Sequence, residues 1–223
     1  MTTSYSGALR KMRTHADDNN TVNYQLPIGE HKVDINPVIG QKVSLDFTGD
    51  INCVHCNRKT KKSFSQGYCY PCLISLAQCD SCIIKPEKCH YHEGTCREPQ
   101  WGEEHCFSEH FVYLANTGNV KVGITRHVTD GVSSRWMDQG ATQATVMLRV
   151  TDRLTSGLVE MLCKEHIGDK TNWRTMLKSA PDQVDLLEVK ATILSKIADG
   201  LAQIQQTKGI QAVSEADGEV HNI

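Results

Sequence analysis

The sequence predicts an α+β protein. It begins with a small N-terminal β layer carrying a zinc-ribbon or knuckle module, continues as a three-stranded sheet flanked by helices, and ends in a C-terminal helix. Three observations predict this. Strand-type runs occur before residue 50 and again between 111 and 150. Every cysteine except Cys163 lies between Cys53 and Cys106. Beyond residue 151 the apolar residues recur at helical spacing.

Five segments follow from these shifts in composition: a β-rich stretch (1–50), a cysteine-rich module (51–108), an α/β core (109–180), a C-terminal amphipathic helix (181–206) and a flexible tail (207–223). In the first, Tyr5 to Met12 reads as a short helix and His15 to Asn20 as a polar connection. Val43, Leu45 and Phe47 alternate with polar residues, the period of a half-buried strand. Gly29, Pro37, Gly40 and Gly49 mark turns.

The cysteine-rich segment has few long aliphatic side chains, so it cannot bury enough apolar area to fold alone. Bound metal has to supply the difference, and structural zinc supplies roughly 10–16 kcal/mol. Cys53-Val-His-Cys56 and Cys69-Tyr-Pro-Cys72 are two Cys-x-x-Cys knuckles, each aiming two thiolates at one ion. Together they make a closed four-sulfur site with no position left for water, hence a structural zinc.

A second group holds Cys79, Cys82, Cys89, Cys96 and Cys106, with His90, His92 and His105 interleaved. It predicts a second metal site whose ligand set stays open. Cys89 with Cys96, Cys96 with Cys106, a histidine, or a crossover between the first and third pairs would each complete it, and four thiolates also suit an iron–sulfur cluster. Arg58, Lys59, Lys61 and Lys62 lie between the first knuckles, with Phe64, Tyr68 and Tyr70 nearby. Such a cluster can meet phosphate and bases, but a solvated loop and packing over the knuckle are the commoner uses. Cys163, alone in a helical stretch, reads as a core residue.

In the second half, residues 111–115 and 119–125 are strand-like runs around the Asn116-Thr117-Gly118 turn, which predicts a hairpin. Residues 130–139 read as helix and Thr142 to Val150 as a third strand. Thr151 to Ile167 reads as a helix with Leu154, Leu158, Met161 and Leu162 on one side. Leu187, Ala191, Leu194, Ala198 and Leu201 form a second helical stripe, and the helix over 184–204 could mediate a homodimer or dock a protein partner. After Gln206 the polar, acidic end reads as a frayed tail.

Bulk composition limits the function classes. The chain has 223 residues, 39% hydrophobic and 22% charged, and a net charge of −2. That composition is globular. The charge gives no whole-chain support for DNA or RNA binding, which rests largely on phosphate neutralisation, so only a local patch can serve. The N-terminal residues lack a signal-peptide core and no stretch is long enough to span a bilayer. A cytoplasmic location is expected, where thiols stay reduced and close pairs bind metal.

The stretch from Val112 to Arg135 resembles the GIY-YIG nuclease superfamily. Phe111-Val112-Tyr113 sits where the first motif belongs, and Lys121-Val122-Gly123 with Ile124-Thr125 resembles the second. Arg135-Trp136 fits the helix arginine, Glu160 the metal-ligating glutamate and Asn172 a later asparagine. The resemblance spans roughly 111–172. It implies phosphodiester cleavage of DNA or RNA, with Tyr113, Lys121, Arg135, Glu160 and Asn172 as site residues and Mg²⁺ or Mn²⁺ at Glu160.

In that chemistry a Glu-bound cation offsets charge on the phosphorane. Arg135 clamps phosphate oxygens, and Tyr113 orients the water or serves as base. The sequence departs from the family pattern at two places: Lys121 replaces the second-motif tyrosine, and Phe111 the first-motif glycine. A lysine protonated at neutral pH binds phosphate but is no base unless desolvated. Three readings stay open: a metal-dependent nuclease, a non-catalytic nucleic-acid-binding module, and a protein-binding adaptor.

The whole chain also looks like a member of an uncharacterised bacterial family that joins a cysteine-rich region to LysValGlyIleThrArg (121–126), ArgTrpMetAspGlnGlyAla (135–141) and AspLysThrAsnTrpArg (169–174).

Overall fold

The computed structural model describes residues 3–17, 19, 21–129, 132–178 and 180–223, and only the backbone of Thr175. The chain forms two compact units, Met1–Asp80 and Ser81–Ile223.

The first unit opens with an antiparallel sheet of three strands in chain order: β1 (Arg13–Ala16), β2 (Val22–Ile28) and β3 (His31–Asp34). Gly29, at φ +57°, makes the turn between β2 and β3. Asn36 holds the far end. Its side chain accepts from the Tyr24 N–H at 2.8 Å and donates to the Val22 carbonyl at 2.8 Å.

Two expectations for this unit fail. Residues 5–12 form no helix; Leu9 instead makes an isolated bridge to Ile28. With Gly7 at φ +149° a helix cannot run through this stretch. Val43, Leu45 and Phe47 form no strand and stand 63%, 78% and 75% exposed. Alternation marks a strand only where a neighbouring strand takes up its hydrogen bonds, and none reaches this stretch. Of the polar connection expected over 15–20, Asp18 and Asn20 lie outside the described residues.

Helix α1 (Tyr70–Ser75) follows in the same unit, started by Pro71 in its first turn. The second unit begins with the short helix α2 (Ser81–Ile84), followed by α3 (Pro99–Cys106). Strands β4 (His110–Asn116) and β5 (Val120–Thr125) form the expected hairpin, with Tyr113 opposite Gly123 and Ala115 opposite Lys121. Helix α4 (Ser134–Asp138) comes next, capped by Ser133; the start of the predicted 130–139 helix lies outside the described residues. Strand β6 (Gln143–Val150) then pairs with β4, placing β4 between β5 and β6.

β4 is buried almost end to end because it is covered on both faces. One face carries Val112, Leu114, Val122, Leu148 and Val150. Against it pack α5 (Arg153–Lys164) and α7 (Leu186–Lys208), on either side of the short α6 (Trp173–Met176). The other face carries Tyr113, Ala115, Ala144 and Val146, covered by Trp136 and Ala216.

Both helical stripes are rotated from their sequence reading. On α5 the buried residues are Thr155, Ser156, Gly157, Val159 and Cys163, while Met161 is exposed. On α7 they are Leu186, Lys190, Ile193, Ile197 and Ile204, while Leu187 is exposed. Leu158, Leu162, Leu194 and Leu201 of the predicted stripes still pack on the core, but the deepest positions lie one residue away; on α5 the Pro86–Glu87 turn lies directly against Gly157.

The acidic end is not a frayed tail. β7 (Val213–Glu215) and β8 (His221–Asn222) both pair with β6 and complete a five-stranded sheet. The buried Lys190 side chain fastens this end, donating to the Ala216 carbonyl and pairing with Glu215 at 3.4 Å.

Candidate metal centre and cationic site

The four-cysteine centre is built by two local devices in the first unit. A hairpin over 51–60 carries the first knuckle. Cys53 N–H donates to the Arg58 carbonyl at 2.9 Å, and Asn57, at φ +55°, turns the chain so that Cys56 faces Cys53. A tight turn at Ser65-Gln66 then brings the chain back, both residues having positive φ. Gly67 follows at φ +129°. A Cβ there would fall 2.4 Å from Val54 Cγ1, so the return strand can approach the first knuckle only with glycine at this position. The second knuckle opens helix α1, with Leu73 N–H donating to the Cys69 carbonyl at 2.9 Å.

The sulfurs of Cys53, Cys56, Cys69 and Cys72 all lie within 4.8 Å of one another. Cys56 and Cys69 are 3.7 Å apart. Tetrahedral zinc with bonds near 2.3 Å sets its sulfurs about 3.8 Å apart, so the spacing fits the ion. Burial on its own raises the Cys53 thiol, but the N–H groups of Cys56, Cys69 and His55 outweigh it and bring the thiol down to about 6. Burial, and then the sulfurs of Cys69, Cys56 and Cys53, push Cys72 up to about 12. Four thiolates this close repel one another, and a divalent cation removes the conflict. These four residues can therefore hold a metal such as zinc.

The remaining cysteines do not converge in the same way. The Cys79/Cys82 pair straddles the boundary between the units. Within the second unit, Cys82 and His90 bring ligand atoms within 4.8 Å of each other. Burial raises the Cys106 thiol, and Cys89 and Cys96 lie near enough to raise it further. Among the described residues, however, Cys89, Cys96 and Cys106 form no group of ligand atoms within 4.8 Å. Cys163 is fully buried in the core, where its thiol is pushed up to about 12. No described cysteine is in a disulfide.

The second sheet carries Tyr113 and Lys121 on one face, where α4 also places Arg135, while Glu160 lies on α5, which packs on the opposite face, within electrostatic reach of Tyr113 and Lys121. Lys121 lies opposite Ala115 and Gly123 opposite Tyr113, so Lys121 and Tyr113 share one face. Tyr113 leans across its neighbour strand: a Cβ on Gly123 would sit 2.5 Å from its Oη and 2.6 Å from Cζ. The motif glycine is thus the space occupied by the tyrosine.

Helix α4 packs on the same face through Trp136 and presents Arg135 at the surface. Tyr113 Oη donates to Gln139 Oε1 at 3.1 Å. Burial raises the Tyr113 hydroxyl and Glu160 raises it further, against the pull of Arg135 and Gln139. Tyr113 is 0% exposed and stays a phenol at neutral pH.

Lys121 is 5% exposed. Burial lowers its pKa, the adjacent Arg135 charge lowers it further, and Asp169 and Glu160 pull it back. Glu160 pairs with Lys164 at 3.0 Å, and Lys164 also holds Asp169 at 3.1 Å. The segment after α5 closes the edge of β5, where Val122 N–H donates to the Gly168 carbonyl at 2.9 Å. Asn172 is exposed at the start of α6, its carbonyl accepting from Met176 N–H at 3.0 Å.

Sequence reasoning missed several members of this arrangement. Gln139 and Asp169 lie within the family-like segments quoted above but were given no part in the site, Asp169 or Thr171 reading only as a cap for the helix that follows. Lys164 was visible as the i+4 partner of Glu160. Arg126 lies in the family-like segment 121–126 but was given no part in the site; Arg153, whose pKa is lowered by burial and then by the charges of Arg126 and Arg135, carried no local signal.

The protein is a mixed α+β protein with a four-cysteine centre able to hold metal in its first unit and a cation-rich sheet face in its second. The chain belongs to the family described as "Protein of unknown function (DUF2797)", whose model matches residues 40–222. No curated protein and no solved structure matches the chain. No described helix is long and apolar enough to cross a membrane.

Proposed function

We propose that this is a zinc-stabilised, nucleic-acid-associated protein whose second unit grips a phosphodiester between Arg135 and Lys121 and hydrolyses it with a divalent cation held at Glu160. One observation carries the reading. A lysine almost wholly buried on a sheet face lies within electrostatic reach of the exposed Arg135, with Asp169 and Glu160 opposing that repulsion. Like charges held together weaken each other's ionised forms, and a further anion between them is favoured. A phosphate between them turns the repulsion into two attractions, and Arg135 offers a fork that matches its oxygens.

The roles follow from position. Arg135, at the surface, meets the phosphate first, and Lys121 behind it adds positive charge. Tyr113 and Gln139 fix the wall beneath Arg135. Glu160 supplies one carboxylate, the usual protein share of a Mg²⁺ site. A hydrated Mg²⁺ or Mn²⁺ there would lower the pKa of a bound water and offset charge on the phosphorane. The resemblance of these positions to the GIY-YIG superfamily supports the same assignment. In the first unit, zinc in the four-cysteine centre serves structure, because the closed sulfur set has no open position.

A second reading is binding without cleavage. It is favoured by the Lys164 ammonium, which already sits on Glu160 at 3.0 Å and competes with a metal ion. The adaptor reading is weaker, because the apolar side of α7 is spent on its own core.

The test is incubation of zinc-loaded protein with single-stranded, duplex and branched DNA or RNA plus Mg²⁺ or Mn²⁺. Cleavage abolished by Glu160→Ala and Arg135→Ala supports hydrolysis. Salt-sensitive binding that Arg135→Ala weakens, without cleavage, supports the second reading. Absence of binding at low salt removes both.

A further inference from the structure

We infer that residues 168–178 form a stacking platform that selects single-stranded nucleic acid, with Trp173 as the specificity-determining residue; this rests on the reading of Arg135 and Lys121 as a phosphate site. The segment is attached beside that site at two points. Its start is hydrogen-bonded to β5 next to Lys121, through the Gly168 carbonyl. Its other end rests against Gly140, just beyond α4, where a Cβ would lie 2.6 Å from Met176 Sδ. Trp173 is therefore no more than about 17 Å of extended chain from Gly168, the span of a few nucleotides.

Trp173 is 54% exposed, whereas Trp136 is fully buried. Leu177, one turn further on and 71% exposed, extends the apolar surface, and its N–H donates to the Trp173 carbonyl at 3.1 Å. Arg174 lies over the indole ring, 4.4 Å from its centroid. Lys170, Arg174 and Lys178 are all exposed. The one acid between 168 and 178, Asp169, is neutralised by Lys164 at 3.1 Å.

A half-exposed indole with Arg174 over one face, set among cations, matches a chain that offers both flat bases and phosphates. A duplex offers phosphates but keeps its base faces stacked. A hydrophobic protein partner would leave the three cations without a role. The occupant this surface fits is therefore a single strand.

Fluorescence anisotropy with an oligo-dT of about 12 nucleotides and a duplex of the same length tests this, in Ca²⁺ to suppress cleavage. Wild type should prefer the single strand. Trp173→Ala should weaken oligo-dT binding about ten- to hundredfold and leave duplex binding unchanged, and Trp173→Phe should restore most of the loss. Circular dichroism checks that the variants fold, and sedimentation checks that Trp173 is not a dimer contact. Equal loss on both probes, no loss, or a dimer dissociated by Trp173→Ala overturns the platform. Failure of the underlying site is distinguishable: wild type would then bind neither probe, and Arg135→Ala would change nothing.

Discussion

Removing metal from the four-cysteine centre should unfold residues 51–80 and leave the C-terminal sheet standing. Within this stretch the buried apolar residues are Cys53, Cys69, Cys72 and Ala77. Even at the value for larger side chains, about 1.5–3 kcal/mol each, four such residues contribute only several kcal/mol. Structural zinc supplies roughly 10–16 kcal/mol, more than this burial, so the order of the segment depends on it.

Cys72→Ser, or chelation of the wild type, should therefore expose the peptide bonds after Tyr68 and Leu76 to chymotrypsin, detected by mass spectrometry. The thermal transition reported by the fluorescence of Trp136 in the second unit should persist. Chelated, metal-free protein that resists cleavage at both bonds would refute the reasoning.

Three further perturbations follow from named contacts. Gly123→Ala places a methyl group 2.5 Å from the Tyr113 hydroxyl in a core that cannot yield, and should cost about 1–3 kcal/mol in urea denaturation. Tyr113→Phe should not relieve it, because the ring carbon Cζ is also only 2.6 Å away. Buried His110 has its pKa lowered from 6.5 to about 4, chiefly by burial and against a hydrogen bond to the Ser108 carbonyl. The unfolded chain thus binds the extra proton between these values. The associated stability is complete above pH 6.5 and is lost as pH falls toward 4, by about 3 kcal/mol at most; in His110→Phe the loss over that window should be smaller by this amount. Deleting residues 209–223 strips β7 and β8 from β6 and leaves Lys190 buried without Glu215 and the Ala216 carbonyl. The truncated chain should lose at least about 3 kcal/mol, and Lys190→Met should recover part of it.

Features with short-range causes were legible in the sequence. Two Cys-x-x-Cys pairs gave the metal centre because each knuckle is a local turn. The β4–β5 hairpin was legible from its Asn-Thr-Gly turn, and β6 and α5 from their runs of residue types. What failed depended on distant partners. Val43, Leu45 and Phe47 have a strand pattern but no neighbouring strand. The apolar stripes of α5 and α7 were read one residue off centre: Leu158, Leu162, Leu194 and Leu201 do pack on the core, but the deepest positions include Thr155, Ser156 and Lys190, which no apolar pattern marks. The acidic C-terminus joins the sheet because β6 offers an open edge and Lys190 offers charge, and neither shows in the composition of that segment. Tyr113, Lys121, Arg135 and Glu160 could be listed in order, but the burial of Tyr113, the placement of Glu160 on the helix behind the sheet and the hold of Lys164 on Glu160 belong to tertiary packing.

The most direct measurement is the salt dependence of nucleic-acid binding by wild type and by Arg135→Ala, at fixed zinc content. Pairing of Arg135 and Lys121 around a phosphate predicts wild-type affinity that falls steeply as salt rises, and a shallower slope with at least about tenfold weaker binding in the variant. Identical affinities and slopes for the two proteins, or no binding by wild type at low salt, would contradict it.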